Sequence, residues 1–169
     1  MFRESDNYSG RFHYPGEYYR AALVTFKEPP APVSTMDDIF VGQLMSDDLY
    51  TATKDTLVED AANTMLSNGI GSLVVVDEDD QLEGILTTTD FVDIVARSKP
   101  KAETTVERYM TTDVETARVG DSIQDIADAM VEHGFHHMPV VDDDGTVVGI
   151  ISTTDLTAYI STVQTPSPA

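Results

Sequence analysis

The 169-residue sequence contains no cysteine. This absence excludes a disulfide framework and any metal site built from thiolates. The sequence also lacks an apolar run near the ~18 residues that a membrane-spanning helix requires, and its N-terminus is polar. We therefore expect a soluble cytoplasmic protein without a membrane segment.

Positive charge is scarce. Ten Lys and Arg residues stand against thirty Asp and Glu residues, which leaves a formal net charge of −20. Such a body repels nucleic-acid backbones and anionic lipids. With 41% hydrophobic residues, this acidity indicates a folded protein from a high-salt cytoplasm, such as that of a halophilic archaeon, where salt screens self-repulsion. Disorder is the competing interpretation of a high net charge, and the long regular apolar pattern disfavours it.

The first 35 residues differ from the rest in composition. They hold seven of the thirteen aromatic residues: Phe2, Tyr8, Phe12, Tyr14, Tyr18, Tyr19 and Phe26. We interpret residues 1–35 as an aromatic N-terminal arm. It either wraps its own domain or docks on a second subunit or partner, because aromatic and arginine residues are enriched at interfaces.

The remainder contains an internal duplication. The octapeptide GILTTTDF, which begins at Gly84, returns 65 positions later as GIISTTDL, which begins at Gly149. Each copy indicates an apolar strand that runs into hydroxyl residues and then an acid at the start of a helix. Unpaired N–H groups at a helix N-terminus suit an anionic or hydroxyl-rich ligand. The duplication therefore predicts two related sites.

The apolar pattern predicts a β-α-β-β-α unit in each copy, which places the fold in the α/β (α+β) class. We expect repeat one at residues 36–100, including a lead-in helix at 36–45, repeat two at 101–163, and a frayed tail at 164–169. The two repeats should pack as a pseudo-twofold pair, since neither buries its apolar face alone. Expected strands are 49–52, 72–76, 82–86, 114–117, 138–141 and 147–151, and expected helices are 56–68, 88–97, 122–133 and 154–162.

The first helix of each repeat carries start and stop signals. Residues 56–59 fit a capping box, residues 122–125 form a similar box, and Gly69 and Gly134 predict the C-terminal ends. The residues predicted to form the two buried stripes are Leu57, Ala61, Met65, Leu66, Ile123, Ala127, Met130 and Val131.

Laid out in this way, residues 39–162 resemble a tandem pair of CBS domains, often called a Bateman module. The matching features are Met45-Ser46 and Met110-Thr111 at the repeat starts, the two Val-Val-Asp segments, and the two Gly-apolar-x-Thr/Ser-x-x-Asp endings. The resemblance implies a regulatory module, not an enzyme, that binds an adenosyl ligand such as AMP, ADP, ATP or S-adenosylmethionine. It also implies a homodimer that signals to a regulated protein, which the sequence does not identify.

The resemblance also implies roles for individual residues. Asp90 and Asp155 would accept hydrogen bonds from ribose hydroxyls, and Thr87 and Ser152 would bond to ribose or phosphate oxygen. Segments around Gly71 and His136 would line the adenine pockets. The implied ligand-binding residues are Asp155, Ser152, Thr153, His136, His137, Phe135, Asp90, Thr87, Thr88, Ile70, Gly71, Met110 and Thr111.

Several of these assignments have alternatives. The Thr87-x-x-Asp90 and Ser152-x-x-Asp155 patterns also fit capping boxes, worth ~1 kcal/mol each. A metal site at the histidines is not expected, because no acid stands at a spacing that completes a ligand set.

The two sites should be unequal. Repeat one has Gly71 and Ser72 where repeat two has His136 and His137, so we expect the Asp90 site to lack a cation for phosphate. This favours AMP, S-adenosylmethionine or a magnesium-bound nucleotide. Catalysis is not expected, since the sequence shows no nucleophile–base pair and no Gly-rich phosphate loop. The alternative function is a structural dimerisation module with empty pockets.

Overall fold

The computed structural model describes residues 39–96 and 103–163. The chain divides into two units, Met1–Ser34 and Thr35–Ala169, and every described residue belongs to the second. The predicted aromatic arm, the segment from 97 to 102 and the predicted frayed tail lie outside the described residues. Within the described part of the chain, no helix is both long and apolar enough to cross a membrane.

The element order confirms the mixed α/β class predicted from the apolar pattern. A short 3-10 turn opens each half, Val41–Gln43 in the first and Val106–Arg108 in the second, and we call these the lead-in turns. The strands and helices are β1 (Thr51–Ala52), α1 (Val58–Asn68), β2 (Ser72–Val76), β3 (Leu82–Thr87), α2 (Thr88–Ala96), α3 (Ile123–His133), β4 (His137–Val141), β5 (Val147–Ser152) and α4 (Thr153–Val163).

Two small sheets carry the repeats. In the first, β1 runs parallel to β2 and β2 pairs antiparallel with β3, and in the second β4 pairs antiparallel with β5. The strand expected at 114–117 is reduced to one parallel bridge between Ala117 and Val140. The register sets Ser72 opposite Thr87 and His137 opposite Ser152. Each hairpin therefore brings the first residue of one strand beside the strand-to-helix turn.

The lead-in turns pack into the opposite repeat. Val41 is fully buried in a cluster with Met138 and Ile151 of repeat two. Val106 is fully buried in a cluster with Leu73 and Leu86 of repeat one. The lead-in helix expected at 36–45 is thus a single 3-10 turn within the described residues, and its apolar side chain completes the core of the other half.

Backbone hydrogen bonds hold this exchange in place. Ser46 N–H donates to Ile150 O at 2.9 Å, and Ile150 N–H donates back to Ser46 O at 3.0 Å. Ile85 and Thr111 make the equivalent pair of bonds, both at 2.9 Å. These bonds satisfy backbone groups of β3 and β5 that the hairpins leave unpaired.

A third apolar cluster joins the two hairpins. It contains Val74 and Val76 from repeat one with Val141 and Val147 from repeat two. Beside it, Gln81 and Thr146 form an antiparallel bridge between the two hairpin turns. Each of the three apolar clusters thus contains residues of both repeats, which confirms the predicted pseudo-twofold pair.

The predicted buried stripes were wrong at their edges. Leu66 is 81% exposed and Val131 is 80% exposed, and Leu57 is also largely exposed. Residues adjacent in sequence differ by about 100° around a helix, and here that rotation turns Leu66 away from the core that buries Met65. The buried residues of these helices are Val58, Ala61, Met65, Ile123, Ile126 and Met130.

The helix caps differ between the repeats. Leu57 occupies the N-cap of α1 and its side chain caps nothing, so the capping box predicted at 56–59 is wrong. The Thr56 hydroxyl instead accepts a hydrogen bond from the N–H of Thr53 at 3.0 Å. In repeat two, Ser122 caps α3 by accepting the Gln124 N–H at 3.2 Å. The C-terminal glycines are confirmed, because Gly69 and Gly134 have φ values of 64° and 74°.

Candidate functional site

The duplicated octapeptide forms the same strand-to-helix turn twice. At the end of β3, Asp90 Oδ2 accepts bonds from the Thr87 N–H at 2.7 Å and the Thr87 hydroxyl at 2.8 Å. At the end of β5, Asp155 Oδ2 accepts the Ser152 N–H at 2.7 Å and the Ser152 hydroxyl at 2.6 Å. The capping interpretation is therefore correct for both acids. In each turn the two bonds end on Oδ2 of the aspartate, so neither cap uses Oδ1.

Each turn borders a cleft between the two repeats. We call the one beside Asp90 the Asp90 cleft, with a volume of about 320 Å³, and the one beside Asp155 the Asp155 cleft, with about 270 Å³. Small-molecule sites usually measure ~300–1,000 Å³, so the Asp90 cleft lies at the small end of that range and the Asp155 cleft just below it. The Asp90 cleft is lined by residues 85, 87–90, 111, 113–115 and 134–137. The Asp155 cleft is lined by residues 46, 48–50, 69–72, 74, 137, 150, 152, 154 and 155.

Each cleft draws its walls from both repeats. The Asp90 turn of repeat one faces the end of α3 and the start of β4 in repeat two, including His136. The Asp155 turn of repeat two faces the corresponding segment of repeat one, including Gly71. We expected the Asp90 site to lack a cation because its own repeat has Gly71 and Ser72, but the histidines of repeat two line this cleft, so that reasoning is wrong. The two hairpins pack against each other through the shared valine cluster, so each turn meets the opposite repeat's strand start.

The structure places most of the implied ligand residues in these clefts. Those lining the Asp90 cleft are Thr87, Thr88, Asp90, Thr111, Phe135, His136 and His137. Those lining the Asp155 cleft are Ile70, Gly71, His137, Ser152 and Asp155.

Two implied residues are not among the lining residues of either cleft. Thr153 donates its backbone N–H to His136 O at 3.0 Å and lines a shallow groove on α4. Met110 packs against the core of repeat one, where its Sδ would lie 3.1 Å from a Cβ on Gly84. An apolar thioether is more stable in that core than at a polar cleft.

Sequence reasoning missed the segment that follows each lead-in turn. Asp113 and Glu115 line the Asp90 cleft, and Asp48 and Tyr50 line the Asp155 cleft. The duplication could have found them, because each of the two pairs lies a few residues beyond the Met-Ser or Met-Thr dipeptide that opens its repeat.

The two clefts are acidic. The Asp90 cleft contains three carboxylates, Asp90, Asp113 and Glu115, and the Asp155 cleft contains Asp48 and Asp155. Among the described residues that line them, none is a lysine or an arginine. The histidines are thus the only basic side chains in that set, and a polyanionic ligand would meet net repulsion there.

His137 lies in the walls of both clefts. A Cβ placed on Gly71 would lie 3.1 Å from its Nε2 and 3.2 Å from its Cε1, so the ring reaches across to repeat one. Partial burial lowers the pKa of His137 below its ordinary value, and the neighbouring His136 lowers it further, while Asp155 acts in the opposite sense. The ring is therefore mainly uncharged at neutral pH.

The third histidine of this region has a packing partner. The rings of His133 and Phe135 stack with centroids 5.9 Å apart and an angle of 1° between their planes. Within residues 39–96 and 103–163, no group of three or more acids and histidines is arranged to hold a metal ion.

Comparison with known proteins agrees with this architecture. The CBS-domain family model matches residues 41–97 and 106–162. A 17.7 kDa protein of Acidianus ambivalens is 33% identical over 125 residues, which cover 74% of this chain and 75% of the relative. A homoserine O-acetyltransferase of Methanosalsum zhilinae is 34% identical over 125 residues, but these make up only 25% of that enzyme.

Solved structures extend the likeness to three dimensions. The CBS domain pair of protein MJ0100, in complex with 5′-methylthioadenosine and S-adenosyl-L-methionine, superposes with a TM-score of 0.68. It is 28% identical, and the match covers 75% of this chain and 98% of that one. The two repeats, their exchanged lead-in turns and the family match lead to one conclusion: the chain belongs to the CBS-domain family and folds as a tandem CBS pair.

Proposed function

We propose that the chain is a regulatory module that binds an adenosyl ligand in the Asp90 and Asp155 clefts and signals occupancy to a partner. The observation that carries this proposal is the duplicated turn. It holds one oxygen of each aspartate in a helix cap and leaves the other oxygen free of that cap, and each aspartate lines a cleft. A carboxylate in this position is suited to accept hydrogen bonds from the two hydroxyls of a ribose.

The charge of the clefts narrows the ligand class. With three carboxylates in one cleft, two in the other and no lining lysine or arginine among the described residues, a neutral or cationic nucleoside is favoured over a polyphosphate. 5′-Methylthioadenosine is neutral and S-adenosylmethionine carries a sulfonium, so both fit better than AMP. ADP and ATP would require Mg²⁺ to offset their phosphate charge.

The test is thermal unfolding of the full chain in 2 M KCl with each of these ligands. A ligand that binds only the folded state stabilises it by about 2.7 kcal/mol at a hundredfold excess over Kd. We expect the largest shift with 5′-methylthioadenosine or S-adenosylmethionine, and a smaller one with AMP. ATP should act only when magnesium is present, and EDTA should abolish its effect.

Matched variants locate the binding. Asp90→Ala and Asp155→Ala should each remove part of the ligand-induced shift, measured against each variant's own unliganded unfolding temperature. Asp128→Ala removes an exposed acid of α3 away from both clefts and should leave the shift unchanged. If no adenosyl ligand shifts the unfolding temperature, the proposal is contradicted and a structural module with empty clefts is favoured.

We further propose that the module forms a homodimer through its helices. Leu66 and Val131 are the two most exposed large apolar side chains among the described residues, and they lie 65 positions apart in equivalent helices. Val95 and Ile160, 63% and 43% exposed, form a second such pair. Equivalent apolar positions on both halves suit the self-complementary pairing of a twofold dimer.

Salt should strengthen this dimer, because two chains of charge −20 repel each other at low ionic strength. Sedimentation velocity at 0.1 M and 2 M KCl should show the dimer fraction rise with salt. The double variant Leu66→Asp, Val131→Asp should be a monomer at both salt concentrations. A wild-type monomer at high salt and high protein concentration would contradict the dimer.

The enzymatic names among the relatives do not carry over. The matched region is a quarter of the acetyltransferase, so the activity in its name is not assigned to this chain. A non-catalytic role, the regulated partner, a cytoplasmic location and a high-salt origin stay predictions for this chain.

A further inference from the structure

The pseudo-twofold symmetry of the clefts is broken at one central position. Ser72 starts β2, is 8% exposed and lines only the Asp155 cleft. Its counterpart 65 positions later, His137, starts β4 and lines both clefts. A hydroxymethyl group in one half is thus matched by an imidazole in the other, and only the imidazole spans the boundary between the two clefts.

The ring of His137 lies close to repeat one on the Asp155 side. It lies so close to Gly71 that a Cβ there would be 3.1 Å from Nε2, nearer than ordinary van der Waals contact. On the strand, His137 pairs with Ser152, which in turn holds Asp155. The Asp155 cleft, into which the ring extends, is also the smaller of the two.

We propose that His137 couples the two clefts, so that a ligand in one weakens binding in the other. This inference rests on the proposed adenosyl-binding function and specifies how it is regulated. A ligand that fills the Asp155 cleft displaces the ring toward the Asp90 cleft and takes volume from it. The reverse holds by thermodynamic reciprocity.

The coupling is steric. Burial keeps the pKa of the ring below its ordinary value, so the ring carries little charge at neutral pH, and its bulk is what both ligands meet. A single side chain shared by the two clefts is a sufficient coupling element, because a ligand that displaces it from one cleft moves it toward the other.

Isothermal titration calorimetry with 5′-methylthioadenosine in 2 M KCl tests this on the full chain. Asp90→Ala leaves the Asp155 cleft as the single site, and Asp155→Ala leaves the Asp90 cleft. The wild type gives two stepwise Kd values, and the two variants give one single-cleft Kd each. The coupling ratio is the product of the two wild-type values divided by the product of the two single-cleft values. Independent clefts give a ratio of one, and we expect about five or more, as is typical of coupled sites.

Substitutions at the boundary separate coupling from simple loss of affinity. His137→Ser installs the residue that repeat one has at this position and should return the ratio to about one. His137→Phe keeps the bulk of the ring without a titratable group and should preserve the raised ratio of the wild type. His136→Ala alters the Asp90 cleft alone, so it should change affinity without changing the ratio.

Gly71→Ala supplies an independent test at a distance. Gly71 lines only the Asp155 cleft, but its new methyl group would push the His137 ring toward the Asp90 cleft. In the Asp155→Ala background, this substitution should therefore weaken binding in the Asp90 cleft several-fold.

The outcomes distinguish the coupling from the proposed function. No binding by the wild type or by any variant overturns both. Two bound ligands with a ratio of one, or a ratio that survives His137→Ser, overturn the coupling and leave the adenosyl function standing. One ligand bound by the wild type, with two bound by His137→Ser, supports the coupling in its strongest form.

Discussion

The Asp90 cleft and the Asp155 cleft occupy equivalent places in the two halves of the module, but their walls differ. Both clefts have the same turn, in which an aspartate accepts hydrogen bonds from the hydroxyl residue three positions before it. The facing wall is Phe135-His136 in one cleft and Ile70-Gly71 in the other. The turn is held by bonds from a backbone N–H and a hydroxyl to its own aspartate and needs particular residues, whereas the facing wall needs only to fill space. Divergence after duplication is therefore expected in the wall, and the wall decides what each cleft selects.

The exchanged lead-in turns give the largest test of this symmetry. Val41→Ala and Val106→Ala each remove methyl groups from a fully buried site and should cost about 2 kcal/mol of unfolding free energy. By native-state hydrogen exchange, Val41→Ala should expose β4 and β5, whereas Val106→Ala should expose β2 and β3. Val119→Ala, at a 46% exposed position, should change stability by less than about 0.5 kcal/mol. Exchange that rises mainly in the repeat that carries the substitution would contradict the exchanged packing.

The glycines beneath the lead-in segments should respond unequally to a methyl group. A Cβ on Gly84 would lie 2.7 Å from the backbone oxygen of Thr111. That oxygen accepts the Ile85 N–H, so it cannot move away without breaking the pairing between Thr111 and Ile85. On Gly149 the nearest atom is the flexible Met45 Sδ, at 2.8 Å, and the backbone oxygen of Ser46 lies at 3.0 Å, farther than Thr111 O lies from Gly84. Gly84→Ala should therefore cost about 1–3 kcal/mol, and Gly149→Ala less, in urea unfolding at fixed KCl.

That glycine comparison has a second readout at the clefts. Thr111 lines the Asp90 cleft, so Gly84→Ala should also weaken ligand binding there, by calorimetry in the Asp155→Ala background. Equal losses of stability for the two glycines would show that the backbone oxygen yields as easily as the thioether.

The first helices allow a smaller comparison. Ser122 caps α3, whereas Leu57 at the N-cap of α1 caps nothing. Ser122→Ala should cost about 1 kcal/mol of unfolding free energy because it leaves the Gln124 N–H without its partner. Thr56→Ala in repeat one should cost less, since the Thr56 hydroxyl bonds only within an exposed turn. A larger loss for Thr56→Ala, by chemical unfolding, would contradict this assignment.

His137 predicts a modest pH effect that repeat one lacks at Ser72. Because the folded state lowers the pKa of His137, the unfolded chain binds more protons as the pH falls below the ordinary value of 6.5. The free energy of unfolding therefore decreases as the pH falls from 6.5 toward the lowered pKa. The slope is a fraction of the ~1.4 kcal/mol per pH unit that uptake of one full proton would give. Unfolding at pH 7.5 and 5.5 should show a larger loss for the wild type than for His137→Ser. An equal loss in both proteins would contradict the assignment.

Local features of the fold were accessible from the sequence. The boundaries of β2 and the ends of α1 and α3 at Gly69 and Gly134 were predicted correctly, because a short continuous apolar run and left-handed glycine caps depend on neighbouring residues. The errors at Leu66 and Val131 were errors of helix face. A face is set by what packs against the helix, and composition alone does not report it.

The sequence by itself determined the duplication, the two aspartate turns and the family, since each is written in a short segment or in a fixed offset of 65 residues. Only the tertiary structure decided which wall each turn faces. That pairing depends on the exchange of Val41 and Val106 and on the valine cluster between the hairpins, which are contacts between residues distant in the chain. For this reason the histidines lie beside Asp90, and His137 reaches both clefts.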